Sequence, residues 1–346
     1  MSADAVGGVW TYALELADAL ARLGVEVHLA VLGTEPGVEQ RRELRASALA
    51  SYAFAPLALE WMPDPWAEVD ASGRWLLDQV ERVQPDVVHL NSYALADLDW
   101  PAPVVVVAHS DVLSWWRAVH GVPAPPDWDR YRARVAAGLA AADAVVAPTS
   151  AVLNDLAREF TAAPDGLVVP NCRRRDWVVR TPKQPLVLAA GRAWDEAKGL
   201  AALDRIAPEL SWPVLIAGAG GGPSARFLGS LSFAEFRPWL LRAAVFAAPA
   251  HYEPFGLAIL EAACAGCALV LSDLPSLREV WGDAALYMPP GDDDALAAAL
   301  QRIIADPRRT TELGGRARLR SERYLPQRTA AGYLALYQRL LTAVRT

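Results

Sequence analysis

Cysteine is scarce in this chain of 346 residues: three are present, an odd number that builds no disulfide framework and fits a reducing cytoplasm. Long apolar runs are also missing, since none reaches the roughly 18 residues that a membrane-spanning helix requires. No charged segment followed by an apolar stretch opens the chain, so no signal peptide is expected either. Positive charge is in deficit, with 33 Lys and Arg against 40 Asp and Glu and a formal net charge of −7. That balance argues against a nucleic-acid surface, where a basic stripe must displace counterions, while leaving room for a local basic pocket. A soluble, cytoplasmic protein is the expectation, with peripheral contact with a membrane left open. Apolar material, by contrast, is abundant. Hydrophobic residues at 53% and charged residues at 21% describe a packed globular chain, long enough for two domains.

Short apolar runs alternate with helical periodicity along most of the length. Val25 to Leu32, Asp86 to Leu90, Val104 to Ala108 and Ala144 to Ala147 read as strands, and near-continuous apolar runs suit strands buried on both faces of a parallel sheet. Between the first elements, Trp10 to Leu23 places Tyr12, Leu16, Ala19, Leu20 and Leu23 on one stripe, with Gly24 where a helix ends. The rhythm breaks at residues 173–185, where three arginines, Trp177 and a Thr-Pro-Lys-Gln-Pro run indicate a solvated linker. It then restarts with strands at Leu186 to Ala190, Val214 to Ala217, Ala244 to Ala248, Ala268 to Leu271 and Ala285 to Met288. Helices are expected near 198–209, 233–243, 256–265, 292–305, 308–322 and 328–344. The α/β pattern therefore predicts two doubly wound, Rossmann-like domains facing across a cleft, residues 1–172 and 186–326. Residues 327–346 form a closing helix able to pack back on the first domain. Only a short segment precedes Gly7, so the first strand is expected to be nearly absent or to begin upstream of Met1.

Three constellations carry candidate chemistry. The first is Glu253-Pro254-Phe255-Gly256-Leu257 through Glu261, a loop after a strand that leads into a helix. Free N–H groups at that helix start suit phosphate or sugar hydroxyls, and Gly256 admits a ligand close to the backbone. Glu261 sits among Leu260, Ala262 and Ala263, where an unpaired charge is costly. The bland readings are a helix cap for Glu253 and a surface charge for Glu261. The second is Gly191-Arg192 with Lys198-Gly199 after the next domain's first strand, a fork and a mobile point charge suited to a diphosphate. Ion pairing of these cations with Asp195 and Glu196 is the plain alternative. The third is the Gly7-Gly8 turn before the first helix, weak by itself. His109 ends an apolar strand, where ligand-facing residues of such sheets lie. His89 ends another and is the lesser candidate, and Trp115 and Trp116 read as packing residues.

Taken together, the glutamate pair, the Gly-Arg and Lys-Gly pair, the N-terminal Gly-Gly-Val, Val168 to Asn171 and the stretch from Asp143 to Ser150 resemble glycosyltransferase family 4, retaining enzymes of GT-B architecture. The resemblance runs through nearly the whole chain and departs at Ala268, where the family usually has proline. It implies that Glu253 contacts the donor sugar and Glu261 the ribose of a UDP-, GDP- or ADP-sugar. Arg192 and Lys198 would hold the diphosphate, main-chain groups of Phe255, Gly256 and Leu257 the sugar hydroxyls, and His109 would lie near the reacting sugar. Gly7 and Gly8 would complete the donor site. A nucleotide-sugar co-substrate, no metal or other cofactor, no nucleic-acid partner and an unidentified acceptor follow from the same resemblance. A nucleotide-sugar epimerase and a non-catalytic nucleotide-sugar-binding protein are the alternatives.

Other motifs are set aside. Cys264 and Cys267 have redox or zinc spacing without a second pair and read as small core residues. Asp97-Leu98-Asp99 has the form that metal-dependent GT-A transferases use but lacks a second ligand cluster. Asp292 to Asp294 reads as a helix cap. Gly218 to Gly222 is a glycine-rich loop whose Pro223 spoils a dinucleotide fingerprint.

Overall fold

A computed structural model describes residues 1–160 and 166–344. Residues 161–165 of the expected first domain and residues 345 and 346 of the closing segment lie outside the described residues. The chain runs β1 (Ser2–Asp4), α1 (Gly8–Ala21), β2 (His28–Leu32), α2 (Val38–Ala46), β3 (Ser51–Ala55), α3 (Trp66–Val83), β4 (Val88–Leu90), β5 (Val104–Val107), α4 (Val112–His120), α5 (Asp129–Ala141), β6 (Ala144–Ala147), α6 (Ser150–Glu159) and β7 (Leu167–Val168). It continues with β8 (Gln184–Ala190), α7 (Leu200–Ile206), β9 (Val214–Ala217), β10 (Arg226–Phe227), α8 (Phe233–Arg242), β11 (Ala243–Ala248), α9 (Leu257–Cys264) and β12 (Ala268–Ser272). The last elements are α10 (Pro275–Trp281), β13 (Ala285–Met288), α11 (Asp293–Ile304), α12 (Pro307–Arg320) and α13 (Pro326–Val344). Two compact units result: Met1–Arg117, Gly121–Cys172 and Pro326–Thr346 form one, Ala118–His120 and Arg173–Leu325 the other. None of the described helices is long and apolar enough to cross a membrane.

In the first unit the strands form two parallel ladders, β1-β2-β3 and β4-β5-β6-β7. A first strand is present in shortened form. It is three residues long and pairs Ser2 with Ala30 and Asp4 with Leu32. A cavity of about 510 Å³ in this unit is lined among others by Met1, Val27, Leu29, Val88 and Tyr337. On α1, Tyr12, Leu16, Ala19 and Leu20 are buried as the stripe requires, while Leu23 lies beyond the helix end and is exposed. Helix α13 belongs to this unit: the Tyr12 hydroxyl donates to that of Tyr333 at 2.7 Å, and the Thr329 hydroxyl to the Pro170 carbonyl at 2.9 Å.

The second unit holds one six-stranded parallel sheet in the order β10-β9-β8-β11-β12-β13. Its strands are apolar on both faces because both faces are covered. Leu186, Leu188, Phe246, Leu269 and Leu271 point into one core with Leu240 and Leu260. Val187, Ala189, Val245 and Val270 alternate with them and meet Leu203, Leu300 and Ile303 on the other side. Burying each such side chain contributes roughly 1.5–3 kcal/mol. Cys264 and Cys267 are buried in this apolar region. The Asp292 side chain accepts from the Ala295 N–H at 2.8 Å and caps α11.

Helix α12 packs tightly against the turn between α9 and β12. A Cβ on Gly314 would lie 2.4 Å from the Gly266 carbonyl oxygen, whereas one on its neighbour Gly315 would meet nothing within 4 Å. Gly314→Ala is expected to destabilise by about 1–3 kcal/mol through overpacking. Gly315→Ala is expected to stabilise by about 0.4–1 kcal/mol by restricting the unfolded chain. Urea denaturation compares the two, and equal effects would contradict the packing described.

Candidate functional site

Strand order in the second unit reverses between β8 and β11. The chain leaves β8 towards β9 and β10, then returns to pair β11 on the opposite side of β8. At such a reversal the loops after the two strands part in opposite directions and leave a place for a ligand beyond the carboxyl ends. Here those loops are Gly191 to Gly199 and Pro249 to Gly256, the two carrying the strongest motifs.

Backbone contacts pin the loops together. The Ala197 carbonyl accepts from the His251 N–H at 2.8 Å and the Tyr252 N–H at 3.4 Å. Gly199 has φ +62° and leaves no space for a side chain, since a Cβ would stand 2.0 Å from the Pro249 carbonyl oxygen. With the backbones so held, Lys198 Nζ reaches Glu253 Oε2 at 2.8 Å, both side chains partly exposed. Gly191 leaves room for the Lys198 stem, whose Cγ would be 3.2 Å from a Cβ there. The plain reading of Lys198 as a partner of Asp195 or Glu196 thus gives way to a pairing with the other motif. Arg192 follows the plain reading instead: its Nη2 lies 2.8 Å from Asp195 Oδ2, and its guanidinium stands over the Trp194 ring at 5.1 Å. Its side chain stays 41% exposed, so it remains open to a ligand.

Glu253 does not cap the helix. Gly256 is the residue before α9, with φ +85° and no side-chain cap, and the first bond of the helix runs from the Leu260 N–H to the Gly256 carbonyl. The N–H groups of Leu257, Ala258 and Ile259 therefore lack helical acceptors and carry the positive end of the helix dipole. Phe255 turns its ring into the core against Tyr324, at 5.4 Å between centroids, so its side chain is not available to a ligand. Ser276, on α10, fixes the loop from behind by donating to the Glu253 carbonyl at 2.6 Å. Sequence reasoning missed Ser276, for a serine inside a helix gives no sign of the loop it touches.

Glu261 is neither a surface charge nor free for a ligand alone. It is buried on α9, and Arg173 Nε lies 2.8 Å from its Oε1. Arg173 also stands over the Phe233 ring at 4.2 Å and donates its N–H to the Tyr324 carbonyl. The expectation of a solvated linker is overturned here. A buried carboxylate on α9 demands a counter-charge, and the first arginine of the run supplies it.

The remaining candidates belong to the first unit. Gly7, with φ +78°, and Gly8 are exposed at the start of α1, which has no side-chain cap. His109 follows β5 and is partly buried, with Nε2 2.8 Å from Asn91 Oδ1 and its ring edge-on to Tyr12 at 4.5 Å. Enclosure by protein lowers its pKa to about 3, so the imidazole is neutral at ordinary pH. His89 is fully engaged within the core, between the hydroxyls of Tyr12 at 3.3 Å and Tyr337 at 2.6 Å. Trp116 packs on the hydrophobic core that holds Leu113, Val152 and Leu156.

Residues 6–173 match the model of Glycosyltransferase Family 4, and residues 184–306 that of Glycosyl transferases group 1. The chain belongs to glycosyltransferase family 4. It is 28% identical to a D-inositol 3-phosphate glycosyltransferase of Xylanimonas cellulosilytica, over 96% of this chain and 91% of the relative. It is 30% identical to an alpha-maltose-1-phosphate synthase of Mycolicibacterium smegmatis, over 64% of this chain and 68% of that one. Among solved structures it resembles sucrose-phosphate synthase from Thermosynechococcus elongatus, with a TM-score of 0.80 and 21% identity over 98% of this chain and 94% of that one. Anabaena HepE in complex with UDP and glucose superposes with a TM-score of 0.75 at 15% identity, over 96% of each chain. The fold is that of the GT-B glycosyltransferases, and the protein is a glycosyltransferase.

Removing one member of the buried pair in this glycosyltransferase leaves the other charge without its partner. Arg173→Met is expected to cost about 3–5 kcal/mol, measured by chemical denaturation. Adding Glu261→Gln should restore part of that loss. A cost below about 1 kcal/mol for Arg173→Met would show that the contact carries little.

Proposed function

We propose that this glycosyltransferase uses a nucleotide-sugar donor and transfers the sugar with retention at the anomeric carbon, without a metal ion. The observation that carries the reading is the Lys198–Glu253 pair at 2.8 Å beside the uncapped start of α9. Lys198, with the exposed Arg192, offers positive charge where a departing diphosphate gains negative charge. The N–H groups at the start of α9 suit the phosphate or the sugar hydroxyls. In the free protein Glu253 keeps Lys198 in place; with donor bound, the same carboxylate orients the sugar by accepting from its hydroxyls. Glu261, held by Arg173, takes the ribose hydroxyls.

In the proposed reaction the bond from the anomeric carbon to the phosphate oxygen breaks, and a bond from that carbon to the acceptor oxygen forms on the same face. The acceptor's proton passes to the departing phosphate oxygen, so no protein base is needed. Exclusion of water protects the donor from hydrolysis. HepE was solved with UDP and with UDP-glucose, which makes a UDP-sugar the first donor to try. Two relatives matching most of this chain are named for inositol-bearing molecules, a D-inositol 3-phosphate glycosyltransferase and a phosphatidyl-myo-inositol mannosyltransferase. Inositol phosphates are accordingly the first acceptors.

Thermal-shift screening with UDP, GDP and ADP is expected to show a preferential rise for one of them, following ligand linkage. With that donor class, Glu253→Ala and Lys198→Ala should each lower transfer by about a hundredfold or more, the scale of a lost electrostatic stabiliser. Near-normal turnover in both variants would refute the assignment. An epimerised donor formed without acceptor would point to an isomerase. Nucleotide binding with no turnover on any acceptor would point to a binding protein.

A further inference from the structure

Asn91 follows β4 and His109 follows β5, the neighbouring strand of the same ladder. Two contacts of the Asn91 side chain differ in kind. Its Nδ2 lies 2.6 Å from the Ser2 carbonyl oxygen, and its Oδ1 lies 2.8 Å from His109 Nε2. A carbonyl oxygen only accepts, so the group facing Ser2 is the NH2 and the group facing His109 is the amide oxygen. That oxygen also only accepts. The proton of a neutral His109 is thereby required on Nε2, and Nδ1 is left with a lone pair.

Three further observations make the arrangement rigid. The Asn91 N–H donates to the Ser2 hydroxyl at 3.0 Å, a second tie to the same residue of β1. Ser2 is buried. The Tyr12 ring stands edge-on to the imidazole, 4.5 Å between centroids at 69°, and restricts its rotation. Burial keeps the ring neutral, as its pKa of about 3 requires. Among the described residues no hydrogen-bond partner is assigned to Nδ1, although it stands beyond the carboxyl end of a parallel strand, where ligands of such sheets bind.

We propose that Asn91 is the positioning residue of this site: it fixes His109 as the Nε2-protonated tautomer and so makes Nδ1 a hydrogen-bond acceptor for a hydroxyl of a ligand at the carboxyl edge of this sheet. The inference rests on the function proposed above for its substrate half, while the tautomer half stands on the free protein. Histidine then acts here as a neutral acceptor and orienting group, not as an acid or a cation. Ser2, through its carbonyl, is the anchor that selects which way the amide faces.

The chain has five histidines, so 15N spectra of the imidazoles in the full-length protein can be assigned by the loss of signals in His109→Gln. At pH 7 the expected pattern for His109 is one protonated and one unprotonated nitrogen, with the proton on Nε2 by its couplings to the ring hydrogens. A proton on Nδ1, or a charged ring, would overturn the proposal without any activity assay. In Asn91→Leu the pattern should become a mixture of tautomers, and an unchanged pattern would likewise overturn it. In transfer assays Asn91→Leu should lower kcat by about 10- to 100-fold, the scale of losing a histidine's orienting partner, with nucleoside diphosphate affinity changed by less than about threefold. Adding His109→Ala to that variant should cost little more, because both act through one acceptor; fully multiplicative losses would reject the substrate half. Absence of transfer with every donor would defeat the function reading and the substrate half with it, leaving the spectra to decide the tautomer.

Discussion

Every ladder between the named strands is parallel, and this constraint governs where chemistry can sit. Parallel strands send all their carboxyl ends to one edge of a sheet, so the loops that follow them gather there whatever their separation in the chain. In the second unit the reversal of order between β8 and β11 makes immediate neighbours of two loops that the chain separates by α7, β9, β10, α8 and β11. Glycine is obligatory where they touch. At Gly199 a positive φ coincides with the Pro249 carbonyl where a side chain would be, and the backbone bonds from His251 and Tyr252 to Ala197 complete the seam. The Lys198–Glu253 contact is a consequence of that seam.

Buried charge is the second organising feature, and the two units handle it differently. Glu261 lies within an apolar helix with Arg173 brought against it. His109 is enclosed with an amide as its partner and loses its charge instead, its pKa lowered to about 3. The partners differ, a guanidinium for Glu261 and an amide oxygen for His109, and it is burial that makes the His109 ring neutral.

Much of this was legible beforehand, and the failures have physical causes. Strands buried on both faces announced themselves as apolar runs, and Ala144–Ala147, Val214–Ala217 and Ala285–Met288 coincide with their expected spans. Strand β3 did not, because it begins with two exposed residues, Ser51 and Tyr52, and its composition lacks a continuous apolar signal. Strands β7 and β10 have two residues each, too few for any periodicity. Strand β1 carries Ser2 and Asp4 and owes its extended form to pairing with β2. The arginine run was misread because three adjacent cations resemble a solvated segment, and only the third dimension distinguishes Arg173 from Arg174. Arg173 is buried against Glu261, while the Arg174 side chain is 53% exposed.

Sequence alone determined the residue types and their local geometry: a glutamate loop opening an uncapped helix, a basic pair after a strand, glycines wherever backbone must bend or be approached. These are properties of short segments, set by steric freedom, periodicity and the free N–H groups of a helix start. Pairing was decided by tertiary structure, because it depends on strand order and burial, which no short segment encodes. Thus Lys198 met Glu253 while Arg192 turned to Asp195, Glu261 acquired a buried counter-ion from a segment that resembled a linker, and an asparagine with no motif of its own came to face His109.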